Sequence, residues 1–222
     1  MPPVSKNQPL RGCLHLLSNP LFSGSKLRLA EESLGFEILT PLHLKKPEKL
    51  CIFQVQKKEG IMNVLFVDLA NVCRSPLAEA LLKKKYEDHQ VVGLVDSAGF
   101  ESFTINEPPD TRIVNLANEH GVLVDGRARI FLKDDFDKFD KIYVMDTQNY
   151  WDVMDLARNE KDKAKVDYLL NVLEPGHNKT VPDPYRSGIE DCKAIYKILD
   201  RATGKILEMA LAEKERKQAL AN

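Results

Sequence analysis

Asn63-Val64-Leu65-Phe66-Val67-Asp68-Leu69-Ala70-Asn71-Val72-Cys73-Arg74-Ser75-Pro76 opens on an apolar run of strand length that stops at an aspartate. A short loop follows, then an arginine and a Ser-Pro step into a helical pattern. Proline suits the first helical turn, where its missing N–H has no partner to lose, and Ser75 before it is a good N-cap. The segment therefore predicts strand, tight loop, helix. In that arrangement the loop N–H groups and the helix N-terminus converge on one point, which attracts anions. Arg74 adds a planar fork matched to phosphate oxygens. The plain alternative is an ordinary strand–helix connection with a surface arginine, and the motifs further along the chain weigh against it.

From Met62 the chain alternates strand and helix, the pattern of a parallel sheet covered on both faces. Strands are predicted at Asn63–Val67, Gly93–Ser97, Lys141–Met145 and Lys165–Leu170. Helices are predicted at Pro76–Tyr86, Asp110–His120, Tyr150–Arg158 and from Ile189 onward. Leu77, Ala80, Leu81 and Leu82 mark the buried side of the first helix, and Ile113, Leu116 and Ala117 that of the second, with Gly121 as its C-cap. In the last helix Cys192, Ile195, Leu199, Ala202, Ile206 and Met209 keep the 3.6-residue period. The expected fold class is α/β, with a four-stranded, mostly parallel sheet and helices on both faces. In such a sheet the ligand sits beyond the carboxyl ends of the strands. That is where Asp68–Arg74 falls.

The 222-residue chain carries 32 Lys/Arg against 33 Asp/Glu, a near-zero net charge that points to neither nucleic acid nor a membrane surface as partner. No apolar run approaches transmembrane length. The cysteines Cys13, Cys51, Cys73 and Cys192 are scattered and no secretory segment accompanies them, so a reduced, cytoplasmic setting is expected.

The opening stretch resembles the signature loop of the low-molecular-weight protein tyrosine phosphatases, which read Val-Cys-x-Gly-Asn-x-Cys-Arg-Ser-Pro there. Asn71, Cys73, Arg74, Ser75 and Pro76 match. Asp68 stands where that family has its nucleophilic cysteine, and Ala70 where it has glycine. The resemblance continues through Asp96-Ser97-Ala98-Gly99, Glu107-Pro108-Pro109-Asp110, Ala128-Arg129, Phe139-Asp140, Val144-Met145-Asp146 and Val181-Pro182-Asp183-Pro184-Tyr185. It implies that Arg74 binds the phosphoryl oxygens, that Ser75 hydrogen-bonds the nucleophile and that Asn71 braces the loop. It implies that Asp183 is the acid that protonates the leaving oxygen. Leu69, Ala70, Asn71, Val72, Cys73 and Ser75 would form the cradle. Tyr185 would line the cleft mouth, and Phe103 lies where the family carries an aromatic that stacks on phosphotyrosine. Arg186 stands where a second tyrosine is common. Neither a cofactor nor a metal is implied. The implied partner is a phosphotyrosine protein or a small phosphomonoester, provided the cradle is open.

Met62 sits where the family's chain would begin. Met1–Ile61 has nine Lys/Arg and five Asp/Glu, leaving 23 basic and 28 acidic residues for the domain at 62–222. The leading segment is thus basic and the main domain acidic. Its apolar stretch Leu14–Phe22 is broken by Ser18, Asn19 and Pro20 and makes a poor signal-peptide core. Residues 1–61 read either as a small or partly disordered appendage or as an upstream extension of the reading frame with no fold of its own. The second reading is preferred, and no chemistry is visible in the segment.

Family chemistry needs a thiolate whose pKa is lowered by loop N–H groups, an arginine and a hydroxyl. A carboxylate in that place repels the substrate: at about 4 Å and an effective dielectric near 20, each unit of phosphate charge costs on the order of 4 kcal/mol. Asp68 is instead expected to act as an internal ligand, ionised, with a lowered pKa, and paired with Arg74 and the loop amides. Cys73 sits at the wrong end of the loop for in-line attack. The leading reading is a family member with reduced or absent catalysis. The alternatives are an active phosphomonoester hydrolase that uses Asp68 or another route, and an engineered replacement in an active enzyme.

Overall fold

The computed structural model describes residues 61–185 and 188–221. The expectations for Met1–Gly60 and for Arg186 lie outside the described residues. Four strands, β1 (Val64–Val67), β2 (Val95–Ala98), β3 (Lys141–Val144) and β4 (Val166–Tyr168), form one sheet in the order β2-β1-β3-β4. Every pairing is parallel, with Val67 level with Ala98 on one side and Val144 on the other. Among the described residues six helices connect and follow them: α1 (Arg74–Asp88), α2 (Thr111–Glu119), α3 (Asp135–Lys138), α4 (Thr147–Leu156), α5 (Glu160–Lys163) and α6 (Ile189–Ala221). Short 3-10 turns occupy Ser102–Thr104 and Leu169–Val172. The fold is therefore α/β, a four-stranded parallel sheet with flanking helices.

The two-residue period of β1 divides the core. Val64 and Phe66 point into a cluster that includes Leu77 and Leu81 of α1, Ile113 of α2, and Ile195 and Leu199 of α6. Leu65 and Val67 point the other way, onto Phe131, Phe136, Ile142 and Val153. A central strand buried on both faces explains why the sequence reads as a continuous apolar run rather than an alternating one. The chain leaves β1 for β2 on one side and returns to β3 on the other. The carboxyl end of β1 is thus the switch point of the sheet, where such folds leave a crevice.

Element ends differ from the expectations in ways that matter locally. Helix α1 starts at Arg74, so Cys73 is its N-cap and Pro76 its third residue; Ser75 is already inside the helix. Leu77 N–H closes the first turn onto Cys73 O at 3.4 Å. Helix α4 starts at Thr147 rather than Tyr150 because the Asp146 carboxylate accepts the Asn149 N–H at 2.9 Å, a side-chain cap. The predicted strand at Lys165–Leu170 keeps three paired residues and then tightens into a 3-10 turn. In α6 the buried line runs Cys192, Ile195, Leu199, Ala202, Ile206, then Ala210 where Met209 was expected. Gly121 adopts φ +68° just past α2, the left-handed position that favours glycine. Among the described residues no helix is long and apolar enough to cross a membrane.

Candidate functional site

Between β1 and α1 the backbone folds into a cup. Asn71 carries φ +56°, a left-handed conformation that asparagine tolerates better than most residues. Its side chain holds that shape from three sides. Nδ2 donates to Ser75 Oγ at 3.0 Å and to Ser97 Oγ at 2.8 Å, and Oδ1 accepts the Arg129 N–H at 2.9 Å. The Ser97 hydroxyl in turn donates to Glu79, whose carboxyl is pushed up chiefly by burial. The loop carbonyls are engaged from outside. Leu69 O accepts the N–H groups of Phe100 and Glu101 at 2.7 and 3.0 Å, and Val72 O accepts that of Asp110 at 2.8 Å. Ala70 O accepts the Thr104 hydroxyl at 2.8 Å. A Cβ on Gly99 would come within 2.8 Å of Leu69 O and 2.9 Å of Asn71 N, so glycine is what allows β2 to run this close to the loop. With its carbonyls tied outward, the loop turns N–H groups inward, as an anion cradle does.

Asp68 fills that cradle. It is 2% exposed, and its carboxylate accepts the Asn71 N–H at 2.5 Å and the Ser75 N–H, in the first turn of α1, at 2.9 Å. The expectation that its pKa lies low is corrected here. Burial pushes the Asp68 carboxyl above its ordinary value, and this outweighs the Arg74 charge and the Ser75 and Asn71 N–H groups, which pull it down. Two amides and a nearby cation do not replace the water that the closed cup excludes.

The expected direct pairing of Asp68 with Arg74 is also corrected. Arg74, 3% exposed, points to the neighbouring strand end: its Nη1 donates to Asp146 Oδ2 at 2.8 Å and to Val181 O at 3.0 Å. Asp146 lies two residues past the end of β3, and one of its oxygens caps α4 while the other holds Arg74. Wholly buried Asn149, with its amide nitrogen turned to Asp146, reaches both Asp146 oxygens at 3.0 and 3.1 Å, and its carbonyl accepts the Leu69 N–H at 3.3 Å. Sequence reading took neither Asp146 nor Asn149 as a site residue. The signal for Asp146 was present: a second aspartate closing a second apolar strand.

Asp183 reaches the site from the loop before α6. Its Oδ2 lies 3.8 Å from Arg74 Nη2, its Oδ1 accepts the Tyr185 N–H at 3.0 Å, and its side chain is 49% exposed. Tyr185, 62% exposed, is tethered through its carbonyl to Arg112 Nη2 at 3.3 Å. Arg112 pairs with Asp110 at 2.6 Å, and Asp110 accepts the Cys73 thiol at 3.5 Å. Burial, then Asp110 and Asp68, push the Cys73 thiol far up, so it is held as a thiol. Phe103, 77% exposed, sits on the turn that Thr104 fastens to Ala70. Asp68, Asn71, Arg74, Ser75 and Asp183 thus converge on one cup, with Leu69 half-exposed on its lip and Val72 and Cys73 buried in its wall. Phe103 and Tyr185 are both exposed, the first on the turn tied to Ala70 and the second two residues after Asp183. Among the described residues no group of three or more His, Cys, Asp or Glu side chains is arranged to hold a metal ion.

Residues 63–218 match the family model described as low molecular weight phosphotyrosine protein phosphatase. The chain is 36% identical over 151 residues to the low molecular weight phosphotyrosine protein phosphatase of Gallus gallus, a match covering 67% of this chain and 95% of that protein. Among solved structures, the protein tyrosine phosphatase from Entamoeba histolytica with Hepes in its active site is similar at 33% identity and a TM-score of 0.63, over 69% of this chain and 99% of that one. Vibrio vulnificus Wzb in complex with benzylphosphonate is similar at 25% identity and a TM-score of 0.59, over 67% of this chain and 99% of that one.

Proposed function

Because the chain belongs to the low molecular weight phosphotyrosine protein phosphatase family, we propose that it is a member whose phosphate cradle is filled from within and whose catalysis is reduced or absent. Asp68 occupies the position of the family's nucleophilic cysteine. The observation that carries this reading is the placement of its carboxylate: each oxygen takes one N–H of the cradle, from Asn71 at 2.5 Å and from Ser75 at 2.9 Å. These are donors that would otherwise meet phosphoryl oxygens.

The same contacts make Asp68 a poor nucleophile. Each carboxylate oxygen already accepts a cradle N–H, which lowers its nucleophilicity toward phosphorus. Cys73 offers no substitute, since its proton is held by burial and by Asp110. By the resemblance, Arg74 would bind phosphoryl oxygens and Asp183 would protonate a leaving group. Arg74 itself stands between Asp146 at 2.8 Å and Asp183 at 3.8 Å. A phosphotyrosine protein or small phosphomonoester would be a ligand of such a site only with the carboxylate removed or neutralised. The cytoplasmic setting rests on the sequence alone.

Hydrolysis of p-nitrophenyl phosphate by the chain as it stands and by Asp68→Cys is the direct test. The unaltered protein is expected to be silent. The cysteine variant is expected to turn over, limited by the alanine at position 70. A wild-type chain that hydrolyses the ester and traps a hydroxylamine-sensitive acyl phosphate would make Asp68 the nucleophile and overturn the reading.

A further inference from the structure

We propose that Asp125-Gly126 is a site of spontaneous backbone modification, at which the aspartate closes onto the Gly126 nitrogen as a succinimide and reopens as isoaspartate, and that the change is felt at the cradle through Arg129. Nothing in this depends on what Asp68 does.

The chemistry is local. The backbone nitrogen of the following residue attacks the aspartate Cγ. The N–Cγ bond forms, and the amide hydrogen and the carboxyl hydroxyl leave as water. Water then adds to one of the two ring carbonyls. Opening at the Cγ side restores aspartate. Opening at the main-chain carbonyl routes the backbone through Cβ and Cγ and leaves isoaspartate, with mass and charge unchanged and one extra main-chain atom. Neither an oxidant nor a cofactor is needed. The reaction is favoured where the following residue has no Cβ to hinder its nitrogen, and where its N–H is not tied into secondary structure.

Asp125-Gly126 meets both conditions. It is the only Asp-Gly step in the sequence, which contains no Asn-Gly. Both residues are exposed, in the stretch 122–129 that is neither helix nor strand. Among the described residues no backbone N–H from 123 to 127, that of Gly126 included, donates to a protein acceptor. Chain neighbours apart, no atom stands within 4 Å of where a Cβ on Gly126 would lie. The charged group that faces the Asp125 carboxylate is Lys83 of α1. Asp96-Ser97, the step with the next smallest neighbour, is held in β2 with its carboxylate on Arg129 at 2.9 Å. The stretch is fastened to the cradle a few residues on. Ala128 N–H donates to Glu107 O at 3.0 Å, and Arg129 N–H to Asn71 Oδ1 at 2.9 Å. Asp125 and Gly126 also line one cavity with Asn71, Glu79 and Ser97. The extra atom at 125 has to be taken up between buried Val124 and the bond that holds Asn71 in its left-handed shape.

To test this, the full chain is held at neutral pH and physiological temperature, sampled over weeks and digested with trypsin. Electron-transfer fragmentation of the peptide that ends at Arg127 distinguishes isoaspartate from aspartate. The synthetic peptide acetyl-Leu-Val-Asp-Gly-Arg-Ala-amide, treated alike, gives the rate in the absence of a fold. Isoaspartate is expected to accumulate at position 125 of the folded chain at a rate within about tenfold of the peptide's. Asp125→Asn should reach the same isoaspartate faster, losing ammonia instead of water, and Asp125→Glu should form none. Position 96 should remain aspartate. In amide spectra of the aged chain the Asn71 and Arg129 signals should each appear twice, and they should stay single in aged Asp125→Glu. Isoaspartate in the peptide but not in the folded chain overturns the site. Equal accumulation at positions 96 and 125 assigns the reaction to unfolded molecules and overturns it as well. Single Asn71 and Arg129 signals in a chain modified at 125 overturn the link to the cradle.

Discussion

Replacing Asp68 with alanine should open the cradle to inorganic phosphate. The substitution removes one carboxylate and frees the Asn71 and Ser75 N–H groups, now held at 2.5 and 2.9 Å. With Asp68 in place a phosphate is held outside those donors, on the order of 4 Å from the carboxylate. At an effective dielectric near 20, each unit of phosphate charge then feels a repulsion of about 4 kcal/mol, roughly three decades in Kd. The two recovered charge-assisted hydrogen bonds act in the same direction. Titration calorimetry at neutral pH and low salt should therefore give the variant at least about a thousandfold advantage over the unaltered chain. The gap should also narrow as pH falls. Burial pushes the Asp68 carboxyl up, so it neutralises early and the repulsion fades, while the protonation of phosphate itself is common to both proteins. Equal affinities at neutral pH would refute the internal-ligand argument. A gap that stays constant into the acid range would show that Asp68 blocks by bulk rather than by charge.

Three further outcomes follow from the same geometry. Asp146→Ala strips buried Arg74 of its 2.8 Å partner and α4 of its cap, and should lower the unfolding free energy by about 3 kcal/mol in urea titrations; a loss under about 1 kcal/mol would mean that Arg74 finds another partner. Gly99→Ala drives a Cβ against the Leu69 and Asn71 backbone at 2.8 and 2.9 Å, with a cost of about 1–3 kcal/mol and a displaced loop, read from melting temperature and amide chemical shifts at positions 69–75; an unperturbed loop would contradict the close approach. Asp68 has a raised folded pKa, so between its ordinary value of 3.8 and that folded value the native state binds the extra proton, and stability falls as pH rises through this window. The melting temperature of the unaltered chain minus that of Asp68→Asn should accordingly decline from acid pH toward neutrality, and a difference that rises instead would mean that the charged form is the stabilised one.

The strand–loop–helix at 63–88 was legible because its signals are local. A run of β-branched and aromatic residues, an aspartate that ends it and a Ser-Pro step each act over a few residues. The parallel sheet followed from the alternation of such units. The cradle members Asp68, Asn71, Arg74 and Ser75 were legible for the same reason, lying within eight positions of one another. The partners of those residues come from far along the chain. Asn71 is held by Ser97 and Arg129, and Arg74 by Asp146 and Val181, contacts made 26 to 107 residues apart. No local pattern says which of two strand-ending aspartates Arg74 will face. The order β2-β1-β3-β4 decides it, by setting the end of β3 beside that of β1. The direction of the Asp68 pKa belongs to the same class. Its amide donors and nearby arginine could be read from the loop, whereas the exclusion of water that outweighs them comes from the packing that leaves Asp68 2% exposed. Charge and hydrogen-bonding capacity are written residue by residue, but desolvation exists only once the chain has packed.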